Sequence, residues 1–469
     1  MKEKNAAEIH FYTQKGEAYQ SLSSLQKHLF TGELLSAYWD ISKGEPVLMI
    51  GLGEEALEAI QIKEVAAKAA KECQAKKIGN SVLFVDEILT FCGKEHLIDV
   101  LEGLYLGGYQ EPKFTKEKED ISEPSFEIKS TLFTEEELSL AKEKTSVLCA
   151  SIKKARDRVN APANRLTPEI FAREVQEEFK NLNVEVTVFT KEDLIKMQMD
   201  ALLTVGDSAQ NPPFLVILTY KGDEDKEESI GLVGKGVTVD TGGYCLKTPG
   251  SMKGIRGDMA GGAAVIGAVH ALAKNKVKTN VIAAIPMCEN RISSGSFLTG
   301  DVISSYSGKT IEIGNTDAEG RLILADAVSY LTENKKVSQI LDIATLTGAV
   351  VNLLGFTIGG LICDNEQFYQ EFMEAANKSG ERYLRIPFYK EHEKMIDSQV
   401  ADVKNISEQG CGTITAGLFI RRFAGKTPWL HLDIAGTAWT DPAVFEFQAK
   451  GATGAAISTL YYLAGGEII

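Results

Sequence analysis

The chain reads as two α/β domains, a smaller N-terminal one and a larger C-terminal one with a mostly parallel mixed sheet flanked by helices. Three observations predict this. Apolar strand-like runs alternate with helix-like stretches along the chain. The length of 469 residues suggests more than one domain and a large buried core. Charged residues at 25% beside 44% hydrophobic residues describe an ordinary folded protein.

In the first third, Pro46–Gly53 (PVLMIGLG) is a buried strand that ends in a glycine turn. Glu54–Lys76, rich in Ala, Glu and Lys, is the following helix, and Ser81–Asp86 (SVLFVD) the next strand. This βαβ order implies parallel pairing. Glu111–Glu127 is dense in charge and reads as a solvated loop. Thr134 with Glu137 forms a capping-box signature that opens a helix to about Val159. The expected organisation is an N-terminal domain over 1–133, a linking helix over 134–159 and the larger domain over 160–469.

In the second part, Val184–Thr190, Phe214–Tyr220, Ile230–Asp240, Val281–Ile285, Gln339–Ala344 and Leu430–Ala435 read as strands. Gly222–Glu228 is a charged turn. Ala263–Ala273, Arg321–Leu331 and Ala455–Leu463 read as helices. There is no internal repeat and no low-complexity segment.

Composition removes several function classes. Fifty Lys and Arg against 65 Asp and Glu give a formal charge of −15. That balance disfavours sequence-independent nucleic-acid binding, which needs a basic footprint. No apolar run is long enough to span a membrane, and the lysines of the N-terminus precede no apolar signal-peptide core. Seven scattered cysteines without a C-x-x-C pair read as reduced thiols of a cytoplasmic protein. With six histidines and no H-E-x-x-H, any metal must be held mainly by carboxylates.

The densest chemical signal is KGVTVDTGGYCLKTPGSMKGIRGD, which carries Lys235, Asp240, Lys247 and Asp258, read with NTDAEGRL, which carries Asp317, Glu319 and Arg321. Asp240 stands where a strand ends, and ligands in open α/β sheets lie beyond the carboxyl ends of strands. Asp258 stands just before a helix, where its charge is favoured. Asp317 and Glu319 are two apart, so extended backbone puts both on one side. Four converging carboxylates repel unless cations neutralise them, and two divalent ions bridged by carboxylates are one solution. The alternative is that the four are caps and turn residues that do not converge.

NTDAEGRL (Asn315–Leu322) resembles the signature of the leucyl aminopeptidase family of dinuclear metallopeptidases, the cytosol aminopeptidases of M17 type. VGKGVTVDTGG, Lys247 and DMAGGAA (Asp258–Ala264) are similar to the family's other metal-binding stretch. NAPANRLTP (Asn160–Pro168), DIATLTGA (Asp342–Ala349), HLDIAGTAW (His431–Trp439) and KGATG (Lys450–Gly454) extend the likeness over Asn160 to Leu463.

The resemblance implies a metal-dependent aminopeptidase with two divalent ions per subunit, Mn²⁺ or Zn²⁺. Asp240 and Glu319 would bridge both metals. Lys235 and Asp258 would complete one site, and Asp317 the other, more exchangeable one. Lys235 could ligate only as a neutral amine, which the adjacent dication favours. A hydroxide bridging the metals would attack the carbonyl of the N-terminal residue. Lys247 would stabilise the oxyanion, and Arg321 would hold a bicarbonate ion as general base. Thr345, Leu346, Thr347 and Gly348 would line the substrate cleft. Peptides are the implied substrates, with leucine or another apolar first residue preferred, and a homo-hexamer is the implied assembly.

The sequence departs from the family's pattern in places. Ile255 stands where a methionine often lines the pocket for the first side chain, and it is shorter and stiffer. Thr248 precedes Pro249 after the catalytic lysine, and Leu298-Thr299 replaces a common basic residue and proline. Gly51-x-Gly53-x-x-Ala56 matches a dinucleotide fingerprint only weakly; a tight βα turn is the plainer reading. A DNA-binding regulator or a non-catalytic scaffold with this fold is the alternative function. The acidic balance and the intact set of seven site residues argue against both.

Overall fold

The computed structural model describes residues 6–42, 44–115 and 123–468. The chain divides into two compact units. One runs to Lys153 and takes in Asp441–Lys450 and the last residues from Glu467; the other holds Lys154–Thr440 and Gly451–Gly466. The structure is α/β throughout, with mixed sheets.

The N-terminal unit holds a five-stranded sheet in the order Ala37–Asp40, Val47–Gly53, Ala6–Thr13, Asn80–Phe84, Ser125–Lys129. All its pairs are parallel except the first. The helix expected over Glu54–Lys76 begins later, at Ala59, with Glu58 at its N-cap and Gln61 completing a capping box. Composition marks the helix body but not its start. The strand expected to Asp86 stops at Phe84, where a helix takes over. Part of the loop expected over 111–127 lies outside the described residues, and its end belongs to the edge strand Ser125–Lys129. Gly51–Gly53 ends the strand Val47–Gly53: the Gly51 N–H donates to the Ser36 carbonyl and the Gly53 N–H to that of Gly32. The expected tight βα turn is thus strand end plus a connection to the helix at Ala59, with those donors already engaged.

The capping box at Thr134 forms. Glu137 N donates to Thr134 Oγ1 at 3.2 Å, and Thr134 N donates to Glu137 Oε2 at 2.8 Å. The helix it opens runs over Glu135–Asn160.

The larger unit is built on a nine-stranded sheet. Its main path is Tyr383–Arg385, Gly359–Cys363, Trp429–Asp433, Gln339–Ala344, Ile230–Gly234, Asn280–Asn290, Phe214–Lys221, Val184–Phe189. The four central strands are parallel, and antiparallel pairs flank them. Asn280–Asn290 is buried at every position. It therefore reads as a continuous apolar run rather than an alternating one, as strands covered on both faces do. Helices Ala260–Lys274 and Gly320–Ser329 pack on these central strands. Leu215, Val233, Leu322, Ile340, Phe419 and Trp429 belong to the core they enclose.

The expected single strand Ile230–Asp240 is two strands, Ile230–Gly234 and Gly236–Asp240, interrupted at Lys235. At the break the Lys235 N–H donates to Ile343 O. The interruption puts the lysine where the parallel strands end, which is where the site assembles.

Candidate active site

The carboxyl ends of the four parallel strands converge on one place, as expected for a ligand site in such a sheet. The strand pair around Lys235 delivers Lys235 and Asp240. Asn280–Asn290 delivers Asn290, Gln339–Ala344 leads into Thr345–Gly348, and Trp429–Asp433 delivers Asp433. Two further segments complete the set: Asp258, two residues before helix Ala260–Lys274, and Asn315–Glu319, before helix Gly320–Ser329.

The four carboxylates do converge. Oxygens of Asp240, Asp317 and Glu319 all lie within 4.8 Å of one another. Lys235 Nζ sits 2.7 Å from Asp258 Oδ2 and 2.9 Å from Glu319 Oε1, and Lys247 Nζ sits 2.6 Å from Asp240 Oδ2 and 2.5 Å from Asp317 Oδ1. The reading of these residues as unconnected caps and turns is therefore excluded.

Local sequence makes this approach feasible. Gly242 and Gly243 adopt φ of +86° and +61°, conformations that favour glycine. A Cβ on Gly242 would stand 2.8 Å from Asp317 Oδ1, and one on Gly320 would stand 2.6 Å from Lys235 Nζ. The Asn315 side chain accepts from the Asp317 N–H at 2.7 Å. Asn405 holds the same loop: its Oδ1 accepts from Gly314 N and its Nδ2 donates to Asn315 O.

The electrostatics follow from burial and crowding. Desolvation, then repulsion from Glu319 and Asp258, pushes the Asp240 carboxyl well above its usual range. Desolvation raises Asp258 to about 6 against the pull of Lys235. Burial also raises Asp317, with Lys247 opposing it. Burial works against the ammonium of Lys235, yet Asp258, Glu319 and Asp240 outweigh it and raise its pKa. Lys247 is raised in the same way, with burial opposed by Asp240 and Glu319. In Glu319 the two lysines outweigh desolvation, and its pKa falls. Two ammonium groups thus offset four carboxylates only in part.

These groups face a cleft of about 470 Å³ lined by Asp240, Lys247, Asp258 and Asp317 together with Cys245, Leu246, Thr248, Ser251, Gly254, Ile255 and Gly348. Of the residues expected at the substrate cleft, Ile255 and Gly348 line it. Thr345, Leu346 and Thr347 are not among its lining residues. Thr345 Oγ1 donates to Asp258 Oδ1 at 2.7 Å, and its carbonyl accepts from Lys235 Nζ. The N–H groups of Leu346 and Thr347 are committed to Asp433 Oδ1 (3.1 and 3.4 Å), and Thr347 Oγ1 donates to Asp433 Oδ2. Arg321 is buried and outside the cleft lining. It donates from Nη1 to Asn405 O at 2.7 Å, its buried Nε has no hydrogen-bond partner, and burial lowers its pKa to about 10.

Asn290, Asn405 and Asp433 were not singled out from sequence, although HLDIAGTAW contains the last. Behind Asp433, His431 Nδ1 pairs with Asp342 Oδ1 at 2.5 Å, and Trp429 Nε1 donates to Asp342 Oδ2 at 2.8 Å, all buried. The HLD and DIA segments thus brace the strand ends under the Thr345–Gly348 loop.

Comparison with known proteins gives this geometry its context. Residues 153–461 match the catalytic-domain model of the cytosol aminopeptidase family, and residues 18–118 match that family's N-terminal-domain model. The chain belongs to the cytosol aminopeptidase family. A "probable cytosol aminopeptidase" of Clostridium perfringens is 41% identical over 90% of this chain and 86% of the relative. One from Treponema denticola is 37% identical over 94% of both. Among solved structures, "Bottromycin maturation enzyme BotP in complex with Mn" is similar at a TM-score of 0.89 and 28% identity, covering 98% of this chain and 99% of that one. Membership makes the chain a metal-dependent peptidase, a hydrolase acting on peptides and using divalent cations. No helix among the described residues is long and apolar enough to cross a membrane.

The residues present fit divalent metal. Three carboxylate groups close to one another form a hard-oxygen donor set, and Lys235, 2.7 Å from Asp258 and 2.9 Å from Glu319, would add an amine on losing its proton. Asp258 Oδ2 is buried and faces the Lys235 charge at 2.7 Å. An oxygen in that position is available to a cation.

Proposed function

We propose that the chain removes the N-terminal residue of peptides at a two-metal centre held by Lys235, Asp240, Asp258, Asp317 and Glu319. The observation that carries this is the convergence of four carboxylates and two lysines on one cleft. When bound there, a pair of divalent cations (Mn²⁺ or Zn²⁺) supplies an activated water and a Lewis acid for the scissile carbonyl. Glu319, which meets Lys235, and Asp240, which meets Lys247, would serve both ions. Lys235 and Asp258 serve one, and Asp317, the most exposed of the four acids, serves the other.

The remaining steps belong to the chain's own groups. Lys247 lines the cleft as a charged ammonium, and in the reaction it would donate to the developing oxyanion of the substrate. Arg321 would hold a bicarbonate anion, a general base when bound, and its unpartnered buried Nε suits an anion. Thr345 orients Asp258 through its hydroxyl, and the Asp433 contacts hold Leu346 and Thr347 in place. Gly348 lines the cleft, and the backbone of Leu346–Gly348 would bind the peptide there. The substrate's free amine would lie near Asp258, and an internal residue has no such amine. Ile255 and Leu246 give the pocket an apolar wall, which favours leucine or another apolar first residue. The homo-hexamer and the cytosolic location belong to the same reading and rest on family membership.

A panel of leucine-, methionine-, alanine- and arginine-para-nitroanilide with Mn²⁺, Zn²⁺ or chelator tests this. Metal-dependent release, fastest for leucine or methionine, is expected. No metal-dependent release from any of them would overturn the aminopeptidase assignment.

A further inference from the structure

Strand Asn280–Asn290 ends in an amide that lies outside the two segments bearing the proposed metal ligands. Asn290 is fully buried. Its Nδ2 donates to Asp240 Oδ1 at 2.9 Å and to the main-chain carbonyl of Thr316 at 3.0 Å. Both partners are acceptors, so the amide nitrogen rather than its oxygen must face them. Asp240 ends one ligand-bearing strand, and Thr316 immediately precedes Asp317 in the loop that leads to Glu319. One side chain therefore spans the strand end that bears Asp240 and the loop that bears Asp317 and Glu319, three of the four carboxylates. The backbone strengthens the junction, because the Asn290 carbonyl accepts from both the N–H and the hydroxyl of Thr241, at 3.0 and 2.9 Å.

Asp240 Oδ1 also accepts from the Gly242 N–H at 2.9 Å. With two donors on Oδ1, only Oδ2 is turned to the cationic side, where it meets Lys247 Nζ at 2.6 Å. We propose that Asn290 is a positioning residue of the metal centre: it fixes which oxygen of Asp240 faces the cations and sets the separation of Asp240 from the Asp317–Glu319 loop. This rests on the two-metal reading above. It extends that reading to a residue that touches neither substrate nor metal.

The same strand contains a control. Asn280, at its other end, is also buried, and its Nδ2 donates to the carbonyls of Asp223 and Lys226 at 2.8 and 2.7 Å. It holds a turn and touches no candidate ligand. The test is a Mn²⁺ binding isotherm, measured by titration calorimetry on the full chain, for the unaltered protein, Asn290→Leu and Asn280→Leu, each checked for folding by circular dichroism. Loss of a group that orients a metal-bound side chain typically weakens affinity by about 10–100-fold. That weakening is expected for Asn290→Leu, whereas Asn280→Leu lowers the melting temperature and leaves the Kd unchanged. Asn290→Ser, smaller and still polar, covers the case in which leucine is not accommodated; it is too short to span both acceptors, so the same weakening is expected. An unchanged Kd in either folded Asn290 variant overturns the proposal. Equal weakening by Asn280→Leu also overturns it, because the effect would then be general loosening. Absence of Mn²⁺ binding by the unaltered protein removes the metal reading, and this proposal with it.

Discussion

Each unit of the molecule buries lysine among acids, and the two clusters differ in ways that separate architecture from chemistry. In the N-terminal unit Lys63 lies 2.5 Å from Glu102 and 3.6 Å from Asp99, and Asp99 meets His96 Nδ1 at 2.8 Å. The lysine is on helix Ala59–Ala75 and the acids are on helix Leu97–Gly107, so the cluster pins one helix to another. Two acids face a lysine and a histidine, and the charges can balance internally. In the catalytic unit four carboxylates face two lysines, on strand ends and glycine-bearing loops, and open on a cleft. Buried charge is common to both. Uncompensated negative charge at the mouth of a parallel sheet is found in only one, and that surplus is what a pair of dications would satisfy.

The largest expected effect comes from removing a carboxylate of the surplus cluster. Glu319→Gln should lower kcat/KM for leucine-para-nitroanilide on the order of ten-thousandfold, about 5 kcal/mol of transition-state stabilisation. Its far-ultraviolet circular dichroism should match that of the unaltered protein. Full activity in that variant would erase the distinction between the clusters.

The balanced cluster should answer in stability instead. Lys63→Met removes the lysine from buried Glu102 and Asp99, and breaking a buried pair typically costs about 3–5 kcal/mol. Urea unfolding should show that loss, while kcat/KM per folded molecule stays the same. Adding Glu102→Leu to Lys63→Met should recover much of it, since an apolar replacement of a buried pair is often neutral. An activity loss that the double variant does not recover would give the N-terminal cluster a catalytic role.

The smallest effect concerns His96. Its hydrogen bond to Asp99, against desolvation, raises the pKa from 6.5. A pKa raised on folding contributes stability that is fully present below the unfolded value and is lost as pH rises through the folded one. His96→Gln should therefore lower the melting temperature at about pH 5.5 and change it little at about pH 9. The reverse order would contradict the pairing.

Much of the site was legible in the sequence, and the reason is local. Lys235, Asp240, Lys247 and Asp258 fall within one stretch of chain, and Asp317, Glu319 and Arg321 within another, so short motifs carry the whole of the proposed ligand set. Asn290 and Asp433 are brought in by strand register and three-dimensional convergence, which no local pattern encodes. The break at Lys235 was hidden because an apolar run with glycines looks the same whether or not one residue leaves the ladder. Strand Gly359–Cys363 (GGLIC) was missed because glycine is a poor strand signal and the segment has no polar alternation. Helix Glu366–Ser379 was missed although Asn365 caps it. Its charged outer face outweighs the apolar stripe of Phe368, Phe372 and Ala376.

The central claim is that the surplus cluster is a two-metal centre. Equilibrium dialysis of the chelator-stripped chain against Mn²⁺, followed by elemental analysis, measures it directly. Two ions per chain are expected for the unaltered protein and fewer than two for Glu319→Gln. No bound ion in the unaltered protein, or two ions retained without Glu319, would contradict it.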